Sequence, residues 1–315
     1  MEPATPLTPR LSVIVPALAG HEAVRAVLAA FEAQTARRDI ELVIVCPVRE
    51  AWAANHPDAT FVETGGLSLH RARAAGIRAA RAPFVMLAED HCLPDPDWAR
   101  AVLARLDEPW DAIGPVLRPG NPTSLVAQGS FLLGYGEWIA PVPPGPPRAL
   151  PGRNVVVRRQ ALVTLGDRLG TELLMSALLL QALQARGARF TIEPGATMRH
   201  FDSAGWITSL GIMICVGMGF GAQRSAAWPL WTRLAYALAA PAIAALHWRR
   251  ALRQYWRAGR AAGLSPWSLA PAAVCAMAWG IGEAAGALAG PARAETWVSR
   301  EELNKMAYVR AEDRP

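Results

Sequence analysis

The sequence predicts an α/β domain built on a largely parallel sheet, with an apolar helical region behind it. Three observations carry this. Short β-rich runs alternate with helical runs through the first hundred residues. One apolar run, Phe84 to Ala88, stops abruptly at Glu89-Asp90-His91. Beyond Trp206 the chain turns apolar and aromatic for some eighty residues. Strand, helix, strand, helix, strand in that order implies right-handed crossovers and parallel strands.

Leu11-Ser12-Val13-Ile14-Val15-Pro16 is rich in β-branched residues and is ended by proline, a good first strand. His21 to Gln34 follows with Val24, Val27, Leu28 and Phe31 at helical spacing. Glu41 to Val45 is a second strand and Thr60 to Val62 a third. Leu69 to Arg81 reads as a helix, with Arg71, Arg73, Arg78 and Arg81 among alanines. Gly65-Gly66 marks a loop, because no helix opens on it at the spacing that a phosphate-cradling fingerprint needs. Phe84 to Ala88 is the fourth strand, and Leu93 to Trp98 turns the chain into a helix over 98–106. Acids at the carboxyl end of a strand lie where open α/β sheets hold ligands. They suit a hard divalent cation bridging phosphate groups. The alternative for this stretch is a solvated turn in which Asp95 or Asp97 caps the next helix.

Composition narrows the classes. The 315 residues suffice for one α/β domain and about a hundred residues more. A hydrophobic fraction of 52% against 18% charged is oily for a water-soluble enzyme. Net charge is +6 and pI ≈ 9.7, but the arginines cluster beside tryptophans and apolar segments. That points to an anionic membrane surface and away from nucleic acid. Cys46, Cys92, Cys215 and Cys275 are far apart, which indicates neither a zinc site nor a disulfide framework and fits a reducing cytoplasm. The stretch from Met1 to Arg10 has no basic region followed by a long apolar core, so no signal peptide is expected.

In their order and spacing, Leu11 to Pro16, Gln34-Thr35, Glu41 to Val45, Arg73-Ala74-Ala75-Gly76-Ile77 and the Glu-Asp-His strand end resemble glycosyltransferase family 2. The resemblance runs over residues 10 to 203. It implies the GT-A fold, a nucleotide-binding half joined to an acceptor-binding half, and inverting transfer of a sugar from a nucleoside-diphosphate-sugar donor with Mn²⁺ or Mg²⁺. It implies donor or nucleotide contacts at Pro16, Arg71, Arg73, Glu89, Asp90 and Asn154, and metal ligands at Asp90, His91 and His200. Asp90 is the leading ligand of the altered DxD motif. His91 is either a ligand, favouring Mn²⁺ over Mg²⁺, or a donor behind the ligands. The sequence departs from the family where the second strand ends: Cys46-Pro47 stands in place of the aspartate pair that reaches the base and ribose.

Asp111 to Val116 looks like a strand and Ser124 to Trp138 a helix; Pro141 to Pro151 is a Pro/Gly-rich loop. Gly152-Arg153-Asn154 resembles the family's Gly-x-Asn segment, with Arg158 or Arg159 as further candidates. The family places its catalytic base at the start of the helix expected here over 171–186. Glu172 is the only acid in that helix, one turn early by the family's spacing, and Asp167 is the second choice. An acid there also serves as ordinary helix-start chemistry. Phe190 to Ile192 is a strand, and His200 resembles the family's closing histidine, with a purely structural role as the alternative.

Residues 207–222 are apolar, and Trp228 and Trp231 follow with a proline between them. Residues 234–248 carry no charge but number only 15, short of the roughly 20 that a span needs. Arg249, Arg250, Arg253, Arg257 and Arg260 interleave with Trp248, Tyr255 and Trp256, and 22 uncharged residues follow over 261–282. A spanning hairpin would put those arginines opposite the catalytic domain, against the positive-inside rule, so an interfacial or re-entrant arrangement is expected. The expected organisation is a catalytic domain over 1–205, a membrane-associated region over 206–293 and a charged, peripheral tail over 294–315. The expected activity is sugar transfer to a lipid or glycan acceptor at the cytoplasmic face of a bacterial inner membrane. The alternative is a degenerate domain of the same fold that binds nucleotide or glycolipid without turnover.

Overall fold

The computed structural model describes residues 8–143, 145–301 and 303–315, apart from the side chains of 299–301. Eight strands form one sheet in the order β3-β2-β1-β4-β7-β6-β8-β5. β1 (Leu11–Pro16) pairs in parallel with β2 (Ile40–Cys46) on one side and with β4 (Phe84–Leu87) on the other, and β3 (Thr60–Glu63) extends beyond β2. The chain thus winds outward from β1 to β3 and returns across β1 to β4. The crevice between the carboxyl ends of β1 and β4 is therefore the topological switch point. β1, β2 and β4 are buried on both faces, which explains their continuous apolar runs.

The second half of the sheet is mixed. β6 (Ala112–Pro119) and β8 (Phe190–His200) run parallel, and β7 (Val156–Arg158) lies antiparallel between β4 and β6. β8 is much longer than the sequence suggests, because residues 193–196 loop out beside Pro115 and pairing resumes at Thr197. β5 (Cys92–Pro94) pairs antiparallel with β8, a strand hidden in what reads as a turn. The register aligns Cys92 with His200, so His91 and His200 come side by side.

Helices α1 (His21–Glu32) and α2 (Leu69–Ala79) cover opposite faces of the first half, and α3 (Trp98–Leu103) packs under β8. Gln34, just past α1, donates to the Asp95 carbonyl at 2.9 Å and accepts from the Ala99 amide at 2.8 Å. One side chain thereby fixes the turn beyond β5. α4 (Leu125–Tyr135) begins on a Ser124 side-chain cap. The helix expected over 171–186 is broken. After α5 (Arg159–Val163) come α6 (Leu169–Glu172), a tight turn over 173–175 and α7 (Ser176–Ala185).

The remaining helices form a layer against α4. They are α8 (Trp206–Arg224), α9 (Leu230–Leu238), α10 (Ala240–Gln254), α11 (Leu269–Ala289) and α12 (Pro291–Glu301). Two helices, Trp206–Arg224 and Pro266–Ala289, are long and apolar enough to cross a membrane. α8 and α11 meet backbone to backbone. A Cβ at Gly217 or Gly221 would lie 2.2 or 2.0 Å from a carbonyl oxygen of α11, and one at Gly282 or Gly286 equally close to α8. Two reciprocal Gly-x-x-x-Gly pairs thus set the crossing. Tyr255, expected at an interface, is buried in the main core. Arg257 is not a free surface cation either: it donates to the carbonyls of Gly136 and Glu137 at 2.8 and 3.0 Å. Nor is the 294–315 tail peripheral, since Met306 and Val309 are buried in that same core.

Gly221→Leu should force α8 and α11 apart and lower stability by about 1–3 kcal/mol, the usual cost of overpacking. Gly211→Leu, where a Cβ meets nothing within 4 Å, is the control and should leave the thermal midpoint nearly unchanged.

Candidate metal and donor site

At the switch point the chain leaves β4 and exposes three successive polar side chains to one chamber and one crevice. Glu89, His91 and His200 converge: one ligand atom from each lies within 4.8 Å of the others, and all three are buried. The chamber they border measures about 210 Å³ and is closed on its far side by α8, α10 and α11, through residues such as Met213, His247 and Trp279.

Each imidazole is held from behind. His91 Nδ1 lies 2.6 Å from Asp90 Oδ1, and His200 Nδ1 lies 2.8 Å from Asp202 Oδ2. Both Nε2 atoms are thereby left to the site, as in carboxylate–histidine–metal arrangements. His200 Nε2 is buried without a hydrogen bond, and its nearest carboxylate oxygen is Glu89 Oε2 at 3.7 Å. The two rings stand edge to face with centroids 4.7 Å apart. Asp202 is itself fixed by Ser130, which donates to Oδ1 at 3.1 Å, and by Asn121, which accepts its amide at 2.9 Å. Asn154 donates to Glu89 Oε2 at 2.7 Å and accepts the Glu89 amide at 3.2 Å. It does so from a left-handed backbone, φ 60°, which asparagine tolerates better than most residues.

The electrostatics follow from burial and pairing. Burial pushes the Glu89 carboxyl up, yet the charge of His91, the adjoining His200 imidazole and the charge of Lys305 together hold it well below the ordinary value. Burial pushes His200 down, but the charge and hydrogen bond of Asp202, with Glu89 beyond, push it up to about 9. The site is therefore an alternation of carboxylates and imidazole with its charges compensated. An orphaned imidazole nitrogen beside an ionised carboxylate fits a divalent cation.

The expected residues fall unevenly on this geometry. Glu89, His91 and His200 come together; Asp90 does not join them. The chain turns at residues 90–91, with the Cys92 amide donating to the Glu89 carbonyl at 3.4 Å. Asp90 has both oxygens engaged, Oδ1 by His91 and Oδ2 by the backbone N–H of Lys305 at 3.0 Å. It orients the His91 imidazole. Pro16 and the buried Arg73 line a small crevice beside Asp90, whereas Arg71 points outward and donates to Glu295 at 3.1 Å. Arg158 and Arg159 bond to main-chain carbonyls outside the chamber. Glu172 and Asp167 also miss it. The break at 173–175 turns Glu172 toward Arg168, 2.5 Å away, and Asp167 is exposed on a preceding turn. Met175 and Ser176 line the chamber in their place, with Arg153 donating to the Ser176 hydroxyl. Glu137, Asp202 and Lys305 line it as well, and sequence reasoning missed all three. Only Asp202 left a signal, two residues beyond His200 on an extended stretch.

Residues 12–163 match the family described as "Glycosyl transferase family 2". No curated protein matches the chain. Among solved structures, the mannosyltransferase PcManGT from Pyrobaculum calidifontis, in complex with GDP-Man and Mn²⁺, aligns at 20% identity. That alignment has a TM-score of 0.44 and covers 89% of this chain and 74% of that one. S. aureus TarS 1-349 in complex with UDP aligns at 11% identity and TM-score 0.40, over 67% of this chain and 65% of that one. Residues 12–163 thus match glycosyl transferase family 2, and the mixed, mostly parallel sheet flanked by helices is of the GT-A type.

Proposed function

We propose that the chain is a metal-dependent, inverting glycosyltransferase that takes its sugar from a nucleoside diphosphate and works against a membrane surface. The observation that carries this reading is the convergence of Glu89, His91 and His200 at the switch crevice, each imidazole backed by a carboxylate. Two imidazoles and one carboxylate suit Mn²⁺ or a similar transition ion better than Mg²⁺, which prefers oxygen ligands. When bound, the ion neutralises charge on the donor diphosphate. The chain's own residues supply the rest. Asn154 fixes the Glu89 carboxylate, and Asp90 and Asp202 fix the imidazoles.

Inverting transfer breaks the bond from the sugar's anomeric carbon to the diphosphate oxygen, which keeps the electron pair. The acceptor oxygen forms the new bond and gives its proton to a base. Among the acids of the chamber, Glu89 and Asp202 serve the imidazoles, and Glu283 is enclosed by Arg224, His247 and Trp279. Glu137 is half-buried at the chamber wall with Arg250 3.9 Å away. We assign the base to Glu137. The absence of an acid from the chamber-facing turn at 175–176 favours a second reading, donor binding without turnover.

The membrane part of the proposal rests on where apolar side chains are exposed. Ile207 is 90% exposed, Leu238 83% and Trp267 75%, all on the helical layer. Arg249, Arg253 and Arg260 are exposed on the same layer. An interfacial seat explains both sets at once and lets a lipid or glycan acceptor reach the chamber between α8, α10 and α11. The cytoplasmic face of a bacterial inner membrane matches the exposed arginines.

Four measurements test this. Glu89→Gln should abolish Mn²⁺ binding in calorimetry, whereas Asp90→Asn should weaken it about ten- to hundredfold, as loss of an orienting partner does. Because a proton on His200 competes with the ion, wild-type Mn²⁺ affinity should rise with pH until about 9. Glu137→Gln should leave donor binding intact and slow transfer about hundred- to ten-thousandfold, while Glu172→Gln changes little; donor binding with no transfer in the wild type would establish the second reading. Finally, the protein should pellet with membranes, be released only in part by high salt, and be released fully by detergent. Recovery in the supernatant without detergent would make the apolar layer part of a water-soluble fold.

A further inference from the structure

Of the 32 basic residues, 31 are arginines, and the one lysine is Lys305. A chain that uses arginine everywhere else has its one lysine in the candidate site. Lys305 borders the chamber with Glu89 and His91, and its charge is among those that keep Glu89 ionised.

The placement is built, not incidental. Leu303 and Asn304 lie in the crevice against Pro16, Arg73 and Asp90, leaving only about 10 Å³ there. Asn304 turns the chain in a left-handed conformation, φ 54°, and the Lys305 amide then donates to Asp90 Oδ2 at 3.0 Å. Downstream, Met306 and Val309 are buried, and the Tyr308 carbonyl accepts from the Ala204 amide at 3.3 Å. Thr123 donates to Asp313 at 2.8 Å. Upstream, Glu295 on α12 accepts from Ser68 at 3.0 Å and lies 2.9 Å from His70 Nε2. The segment is a strap fastened at both ends across the carboxyl edge of β1 and β4.

A lysine differs from an arginine in being a compact charge on a flexible stem with three rotatable donors, which suits a phosphate group whose oxygens shift during reaction. We propose that Lys305 is a donor-binding residue whose ammonium meets the phosphate oxygens of the nucleoside diphosphate, delivered there by the C-terminal strap. The proposal rests on the glycosyltransferase reading above. It places the diphosphate between the Glu89–His91–His200 cluster and the strap, and it gives the leaving group a cation that belongs to the protein.

Inorganic pyrophosphate with Mn²⁺ is a probe that requires neither the right base nor the right sugar. On the full-length detergent-solubilised protein, calorimetry should show pyrophosphate binding that weakens about ten- to hundredfold in Lys305→Met, the range for one charge-assisted contact. Mn²⁺ alone should bind both proteins alike, which also reports that the variant is folded with Asp90 in place. Lys305→Arg should recover most of the loss. Unchanged pyrophosphate affinity in Lys305→Met overturns the proposal and leaves the glycosyltransferase reading standing. Equal losses in the Arg and Met variants also overturn it, because strap shape and not charge then sets affinity. Wild-type protein that binds Mn²⁺ but no pyrophosphate overturns both.

Discussion

The need to compensate a buried row of charges governs the architecture around the chamber. Glu89, Asp90, His91, His200 and Asp202 are all buried, and an uncompensated charge in such a place costs several kcal/mol. Four separate stretches each bring a partner for one of them. The turn before β7 brings Asn154 to Glu89, and α4 brings Ser130 to Asp202. The loop after β6 brings Asn121 to the backbone of Asp202, and the far end of the chain brings the Lys305 amide to Asp90. The site is thus the point at which four separate stretches are fastened to the sheet.

How much of this could be read in advance follows from the range of each interaction. β1, β2, β4 and α1 declare themselves because their apolar spacing is local and strong. The resemblance over residues 10–203 pointed to this strand end and to both histidines of the cluster. It put Asp90 first, whereas the carboxylate that stands with the two imidazoles is Glu89, and which of the two turns that way depends on how the chain leaves β4 and not on residue type. β5 is three residues long and exists only because β8 offers it an edge. The helix break at 173–175 has no proline or glycine to announce it. Glu172 looked like a base in a continuous helix and instead pairs with Arg168, four residues earlier. Lys305 lay beyond any local reading, 215 residues from the aspartate it touches.

The helical layer obeys a different constraint. Where apolar side chains face both the protein and the outside, burial alone cannot choose a packing partner. The glycines supply the choice. Gly217 and Gly221 on α8 fit Gly282 and Gly286 on α11 so closely that no other residue could stand there without moving a backbone. Between these contacts α11 carries Glu283, buried and met by Arg224, His247 and Trp279. Those groups also border the chamber, so the layer is a wall of the site as well as an apolar surface.

That double role links the surface to the chemistry. α12 packs on α8, and its Glu295 binds Ser68, His70 and Arg71 at the start of α2. The strap continues from α12 to Asp90, which holds His91. A displacement of α8 would therefore act on both ends of the strap's support, the helical one and the one at the crevice. In this arrangement the geometry of the Glu89–His91–His200 cluster is not independent of the apolar layer. The Asp90–Lys305 bond is the narrowest link in that chain of contacts, a single amide on a single carboxylate oxygen.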